Sequence, residues 1–145
     1  MKSATVLVPA TAANLGPGFD CLALALAASL EVTLSLEGQG LEVEIDGEGT
    51  DSLPRGDDNL IVRAARLLFG EAELAAPGLR LRCSNAIPIA SGLGSSAAAV
   101  IAGLTAANAI LEDRFSLEEI LNHAAGIEGH ADNAAAALLG GLTVV

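Results

Sequence analysis

The sequence has almost no aromatic residues and little positive charge. Among its 145 residues there are three Phe but no Trp and no Tyr, so a hydrophobic core must consist mainly of Ala, Leu, Val and Ile. Seven Lys and Arg stand against 18 Asp and Glu, which gives a net charge of −11. A surface of this sign argues against binding to nucleic acids or to anionic membranes, because both need basic patches.

Cysteine and long hydrophobic runs are also scarce. The two cysteines, Cys21 and Cys83, are far apart and lack the spacing of metal ligands, which indicates free thiols in a reducing cytoplasm. No apolar run approaches the roughly 20 residues of a membrane-spanning helix, and the N-terminal run is too short for the core of a signal peptide. We therefore expect one soluble, cytoplasmic domain with a single hydrophobic core.

The apolar pattern predicts strands first and then alternating helices and strands. Runs of period two predict strands at 4–8, 22–26, 31–37, 41–45, 79–83 and 142–145. Pro9 is expected to end the first strand and to begin a polar loop over 10–20, with a sharp turn at 16–18.

Helical periodicity predicts helices at 59–70, 95–111, 116–125 and 131–139. Ser116 and Glu119 have the spacing of a capping box at the start of the third helix. The order of elements favours an α+β domain with a largely antiparallel sheet and helices on one face.

The segment P-I-A-S-G-L-G-S-S-A-A at 88–98 is the most informative part of the chain. Gly92 and Gly94 can adopt positive φ angles, which lets the backbone curl. Ser95 and Ser96 are then expected to cap a helix whose first N–H groups have no partners within it. Those N–H groups and the helix dipole are suited to binding phosphate. A glycine turn with a serine cap is also common in proteins without a ligand, so both interpretations stay open.

The shortage of lysine excludes two other phosphate-binding arrangements. Lys2 is the only lysine, so the P-loop pattern G-x-x-x-x-G-K-[ST] is absent. A protein-kinase fold needs a lysine on an early strand and is excluded as well. A phosphate must therefore be held by backbone amides, the helix dipole and a metal ion.

A second polar segment, P-A-T-A-A-N-L-G-P-G-F-D, occupies 9–20. Thr11, Asn14 and Asp20 can present hydroxyl, amide and carboxylate groups to a small polar ligand. The alternative is ordinary turn chemistry, in which Asn14 and Asp20 hydrogen-bond their own backbone.

A third segment, E-G-H-A-D-N, occupies 128–133. Zinc is disfavoured, because His123 is the only other histidine and no cysteine is near. A carboxylate that completes a magnesium shell suits these residues better. The alternative is a solvated loop in which His130 or Asp132 caps a helix.

Together the three segments resemble those of the GHMP kinases and, within that family, those of the homoserine kinase subfamily. The glycine-serine loop marks the superfamily, whereas N-L-G-P-G-F-D and E-G-H-A-D-N point to the subfamily, and their order and spacing match along nearly the whole chain. The resemblance implies an ATP-dependent, Mg²⁺-requiring kinase that converts L-homoserine to O-phospho-L-homoserine in threonine biosynthesis. Phosphoryl transfer needs positioning and charge neutralisation more than a covalent group, which agrees with the residues present.

The resemblance also implies roles for individual residues. The ATP phosphates would be wrapped by Pro88, Ile89, Ala90, Ser91, Gly92, Leu93, Gly94, Ser95, Ser96, Ala97 and Ala98. Asn59 would lie near the adenine, and Ser96 and Glu128 would bind Mg²⁺. L-homoserine would be bound by Asn14, Asp20, His130 and Asn133. Asp20 and His130 are the local candidates for proton transfer.

The implied fold is the GHMP kinase N-terminal domain, which resembles domain 2 of ribosomal protein S5. Residues 1–145 would form this ATP-binding domain, with the C-terminal domain of the family absent. An apolar face left exposed in this way would favour association into a homodimer. Two alternatives stay open: an inactive nucleotide-binding or structural fragment, and a GHMP kinase with another small-molecule substrate.

Overall fold

The computed structural model describes residues 2–75 and 78–145. The strands are β1 (Lys2–Leu15), β2 (Gly18–Leu36), β3 (Gly40–Gly47), β4 (Gly78–Asn85) and β5 (Leu142–Val144). They form one sheet in the order β1-β2-β4-β3, in which β5 pairs with the N-terminal part of β2. The β3–β4 pair is parallel and the other pairs are antiparallel, which confirms the prediction of a largely antiparallel sheet.

The first strand does not end at Pro9, so the prediction of a loop over 10–20 is wrong. β1 continues to Leu15, which lies opposite Gly18, and the predicted sharp turn closes a β1–β2 hairpin. Proline donates no hydrogen bond to a strand ladder, but β1 is an edge strand and its register shifts between Pro9 and Thr11. Both features make a proline tolerable there. The two strands predicted at 22–26 and 31–37 are likewise parts of the single strand β2.

Four helices are present in the described residues: α1 (Leu60–Glu71), α2 (Ser95–Ile110), α3 (Leu117–Glu128) and α4 (Asp132–Leu139). Asn59 caps α1, because its Oδ1 accepts a hydrogen bond from the backbone N–H of Ile61 at 3.0 Å. The capping box of Ser116 and Glu119 is confirmed at the start of α3. α3 continues past residue 125, where its end was predicted, to Glu128.

The start of α2 differs from the prediction. Gly94 is its N-cap, in the left-handed region with φ 66° and ψ 28°, and no side chain caps the helix. Ser95 is already the first helical residue, so the prediction that Ser95 and Ser96 cap α2 is wrong. A left-handed glycine makes the turn by itself, which leaves both serine hydroxyls for other partners.

The helices cover one face of the sheet, as predicted. Side chains such as Val8, Val32 and Leu81 point into the core from that face, whereas Leu7 on the opposite face is 66% exposed. α2 lies in the middle of the helical layer, in contact with the sheet and with all three other helices. A Cβ at Gly103 would lie 2.4 Å from the carbonyl oxygen of a residue in α1, so these two helices approach closely. The α+β fold class is confirmed.

Cys21 and Cys83 are both free thiols, as expected. In the described part of the chain, none of the helices combines the length and the apolar character needed to cross a bilayer.

Candidate functional site

The glycine loop, residues 86–94, connects β4 to α2. Gly92 and Gly94 have φ angles of 77° and 66°, which confirms the predicted positive values. The Ser91 hydroxyl donates a hydrogen bond to the carbonyl oxygen of Pro88 at 2.8 Å. The loop is therefore curled and internally bonded.

The loop leads to the N-terminus of α2, where the first backbone N–H groups make no hydrogen bond to another described residue. The first hydrogen bond within the helix runs from the Ala98 N–H to the Gly94 carbonyl oxygen at 2.9 Å. The N–H groups of Ser95, Ser96 and Ala97 consequently precede the helical ladder. Together with the dipole of the helix, which spans Ser95–Ile110, they favour an anion at this point.

Thr11 lies in β1 and links this strand to the glycine loop and to α4. Its backbone N–H donates to the Leu93 carbonyl oxygen at 3.0 Å, and its hydroxyl donates to Asn133 Oδ1 at 2.7 Å. The residue is fully buried. A Cβ at Gly94 would lie 2.0 Å from the Thr11 hydroxyl oxygen, so only glycine fits beside this contact. Sequence reasoning placed Thr11 among possible ligand-binding groups but gave it no role in the loop.

The structure brings Ser96 and Glu128 together. The Ser96 hydroxyl donates a hydrogen bond to the Glu128 carboxylate, which places the end of α3 beside the start of α2. Hydroxyl and carboxylate oxygens are ligands that Mg²⁺ accepts. Among the described residues no group of three or more His, Cys, Asp or Glu side chains could hold a metal ion. Phosphate oxygens and water are the ligands with which Mg²⁺ commonly completes its shell in proteins.

His130 is oriented by a carboxylate that sequence reasoning considered only as a helix cap. Asp132 Oδ1 lies 2.9 Å from His130 Nδ1 and accepts the backbone N–H of Asn133 at 2.7 Å. The Asp132 side chain is 3% exposed, whereas that of His130 is 52% exposed. The buried carboxylate thus holds one edge of the imidazole ring and leaves the other edge accessible. The only sequence signal that Asp132 orients the imidazole ring is its position between the candidate residues His130 and Asn133.

These groups surround a cavity of about 290 Å³, which we call the glycine-loop cavity. It is lined by residues 90–97 together with Glu128, His130 and Asn133. No Lys or Arg is among these lining residues, and Glu128 adds negative charge. A phosphate in this cavity would be repelled by that carboxylate unless a cation lay between the two. The charge pattern therefore fits an anion accompanied by a divalent metal ion.

A second cavity of about 220 Å³, the apolar cavity, adjoins the first and shares Ala90, Ser95 and Ser96 with it. Asn59 lines this cavity. Its side chain is occupied, however, because Nδ2 donates to the Pro54 carbonyl oxygen at 2.8 Å while Oδ1 caps α1. Asn59 therefore forms part of the wall rather than a free polar group.

The remaining wall of the apolar cavity is mostly hydrophobic and includes Leu53, Ile61 and Ile89. Cys83 also lines it, and burial, with the nearby Asp46 charge, raises the pKa of this thiol to about 11. The thiol therefore stays neutral at physiological pH. A flat apolar group such as a nucleobase suits a cavity of this size and character.

Some residues predicted for the phosphate site lie outside both cavities. Neither Pro88 nor Ala98 is among the lining residues, and Ala98 is fully buried. Asn14 and Asp20 lie on the two sides of the β1–β2 hairpin tip, are exposed, and do not line either cavity. Asn14 Oδ1 accepts the backbone N–H of Asp20 at 2.8 Å, which is the turn contact considered as the alternative for this segment.

Comparison with known proteins shows the family of the chain. Residues 59–141 match the family model of the GHMP kinases N-terminal domain. The homoserine kinase of Caldanaerobacter subterraneus subsp. tengcongensis is 48% identical over 139 residues, which cover 96% of this chain and 45% of that protein. The homoserine kinase of Mycobacterium tuberculosis is 47% identical in an alignment of 145 residues that covers 97% of this chain and 46% of that protein. The chain thus spans about half the length of these relatives.

Solved structures have the same fold. The homoserine kinase from Cytophaga hutchinsonii superposes with a TM-score of 0.87 at 30% identity, over all of this chain and 49% of that one. The mevalonate kinase of Methanococcus jannaschii superposes with a TM-score of 0.75 at 15% identity, over 98% of this chain and 53% of that one. The second likeness concerns the fold alone. Both superpositions agree with the fold that the sequence resemblance implied.

Proposed function

This chain belongs to the GHMP kinases, and we propose that it forms the ATP-binding half of a homoserine kinase. The observation that carries the proposal is the meeting of two unlike cavities at Ser95 and Ser96. One is apolar, and the other offers free N–H groups next to a carboxylate. A nucleotide has the matching halves, an apolar base and a chain of phosphates. The identity of 47–48% to homoserine kinases supports L-homoserine as the phosphate acceptor.

In this proposal the adenine occupies the apolar cavity beside Asn59, and the phosphates follow the glycine loop to the start of α2. Residues 90–97, which line the glycine-loop cavity, form the phosphate-binding segment, with the N–H groups of Ser95 and Ser96 closest to the anion. Ser96 and Glu128 hold Mg²⁺, which when bound neutralises phosphate charge. The remaining stabilisation comes from fixed backbone dipoles, which need no reorientation during the reaction.

The amino-acid substrate would lie between the glycine-loop cavity and the hairpin tip. We assign its binding to Asn14, Asp20, His130 and Asn133. The side-chain hydroxyl oxygen of L-homoserine attacks the γ-phosphorus, the bond to the bridging oxygen breaks, and ADP leaves. The hydroxyl proton passes to His130 Nε2 or to the Asp20 carboxylate, and correct placement of the hydroxyl supplies much of the rate. The product would be O-phospho-L-homoserine, an intermediate of threonine biosynthesis.

Binding of the nucleotide is tested with the 145-residue chain itself. Isothermal titration should detect MgATP binding, and Glu128→Gln should weaken it about tenfold, because one metal ligand loses its charge. The matched control is Glu118→Gln, an exposed position on the first turn of the same helix α3, which should leave the affinity unchanged. Equal weakening in both variants would show that overall charge, rather than a metal ligand, is responsible.

Transfer is tested with the chain and with the same chain joined to the C-terminal half of the Caldanaerobacter homoserine kinase. Each protein is incubated with γ-labelled MgATP and L-homoserine, mevalonate or galactose. Label in O-phospho-L-homoserine alone supports the proposal. Label in mevalonate or galactose phosphate instead would contradict the substrate, whereas MgATP binding without any transfer would favour a nucleotide-binding fragment.

A further inference from the structure

The Thr11 hydroxyl is buried and has one hydrogen-bond acceptor among the described residues. Thr11 is 0% exposed, so water cannot take its hydroxyl proton. In the described structure the one hydrogen bond of this hydroxyl runs to Asn133 Oδ1, at 2.7 Å. If the Asn133 amide were turned over, its NH₂ group would face the hydroxyl, and the Thr11 proton would be buried without an acceptor. Buried donors are rarely left in that state, so Thr11 sets which end of the amide faces it.

The other end of the Asn133 amide is then available to a ligand. Asn133 lines the glycine-loop cavity, and its Nδ2 group makes no hydrogen bond to any described residue, whereas its backbone N–H and Oδ1 are both occupied. Nδ2 carries two protons and accepts none. It can therefore bind only an acceptor, and in a cavity without Lys or Arg it adds a side-chain donor to the helix amides.

We propose that Thr11 is a positioning residue that fixes the Asn133 amide so that Nδ2 donates to an anionic oxygen of the bound ligand. Gly94 makes the arrangement possible, because a Cβ there would collide with the Thr11 hydroxyl and approach Asn133 Oδ1 to 3.1 Å. The anionic oxygen belongs to an ATP phosphate or to the substrate carboxylate. This inference rests on the proposed function for the identity of the ligand, but the orientation of the amide is a property of the chain alone.

Amide orientation is tested by NMR spectroscopy on the ¹⁵N-labelled chain. The Asn133 NH₂ signals are identified by their loss in Asn133→Asp. Thr11→Val removes the hydroxyl at nearly constant volume, and Thr11→Ser retains it. The wild type and Thr11→Ser should each give one sharp pair of signals, whereas Thr11→Val should give a broadened or doubled pair. A single unchanged pair in Thr11→Val would overturn the proposal, whatever that variant does to thermal stability.

Ligand binding provides the second readout, at a temperature where all variants are folded. MgATP and L-homoserine are titrated separately. The affinity for the ligand whose oxygen accepts from Asn133 Nδ2 should fall about fivefold to tenfold in Thr11→Val. Thr11→Ser should restore binding to within about twofold. Unchanged affinity for both ligands would show that Thr11 has a structural role only and does not position Asn133 for ligand binding. If the wild type binds neither ligand, the proposed function fails, and the NMR signals alone decide the orientation.

Discussion

Replacing Gly94 by alanine should destabilise the chain far more than the same change at Gly92. Both glycines have positive φ angles, 66° and 77°, so an alanine at either position costs about 1–2 kcal/mol in backbone strain. A Cβ at Gly92 meets nothing within 4 Å, whereas one at Gly94 lies 2.0 Å from the Thr11 hydroxyl oxygen. Relieving that overlap adds about 1–3 kcal/mol, and separating Thr11 from Asn133 adds about 1–3 kcal/mol more.

The difference between Gly94→Ala and Gly92→Ala should therefore be about 2–4 kcal/mol in the free energy of unfolding, after allowance for partial relaxation. That is a large share of the roughly 5–15 kcal/mol that holds a domain folded. Urea denaturation followed by far-UV circular dichroism measures it, because the chain has no Trp or Tyr for fluorescence. With a slope of about 2 kcal/mol per molar urea, the midpoints should differ by about 1–2 M.

A double mutant separates steric overlap from general damage to the loop. Thr11→Ala removes the clashing oxygen and leaves the Thr11 Cβ, which is 3.3 Å from the added carbon. Asn133 Oδ1, 3.1 Å from the added carbon, is no longer held by the hydroxyl and can move aside. In that background Gly94→Ala should therefore cost little more than the backbone strain of about 1–2 kcal/mol. The reasoning is refuted if the two glycine variants are equally stable, or if Gly94→Ala costs as much with Ala at position 11 as with Thr.

Three further outcomes are expected. Ser116 lowers the pKa of Glu119 by hydrogen bonding, so the stability that this carboxylate adds is full above its unfolded pKa and disappears as the pH falls through its lower folded pKa. Urea titrations of the wild type and Glu119→Gln should therefore differ at neutral pH and converge in acid, and a gap that widens in acid would contradict the assignment. Because burial raises the pKa of Cys83 to about 11, only about a thousandth of it is thiolate near pH 8. Mass spectrometry should find that iodoacetamide labels it at least about a hundredfold more slowly in the folded than in the urea-unfolded chain, and equal rates would show that it is accessible. Gly103→Ala should destabilise by about 1–3 kcal/mol, because the new carbon would lie 2.4 Å from a carbonyl oxygen of α1, whereas Gly126→Ala on α3, where nothing lies within 4 Å, should stabilise by about 0.5–1 kcal/mol. Thermal melts compare the two, and destabilisation by Gly126→Ala would count against the packing argument.

The parts of the fold that depend on local pattern were predictable. The capping box of Ser116 and Glu119 is a short-range signal, and the structure has a helix that begins at it. The β1–β2 hairpin was harder to predict, because a proline such as Pro9 usually ends a strand and the residues that follow it are small. Whether a proline is tolerated depends on its lying at a sheet edge, and the sequence near Pro9 does not contain that information.

The candidate site was predictable in its parts but not in its connections. The expectation that Ser96 and Glu128 share a metal ion came from the family resemblance rather than from spacing. The contact of Thr11 with Asn133 joins residues 122 positions apart, and no periodicity or motif rule relates them. The Ser95 and Ser96 cap was predicted wrongly because a left-handed glycine replaced side-chain capping. Long-range contacts of this kind require the folded structure.

The central claim is that the glycine loop and the start of α2 bind the phosphates of MgATP. Its most direct test is a titration of the ¹⁵N-labelled chain with MgATP, followed in ¹⁵N–¹H spectra. The amide signals of Gly92, Gly94, Ser95 and Ser96 should shift most. The signals around Arg80, whose guanidinium is paired with Glu44 at 2.8 Å on the far part of the sheet, should not move. Largest shifts around Arg80, or no shifts at saturating MgATP, would contradict the account.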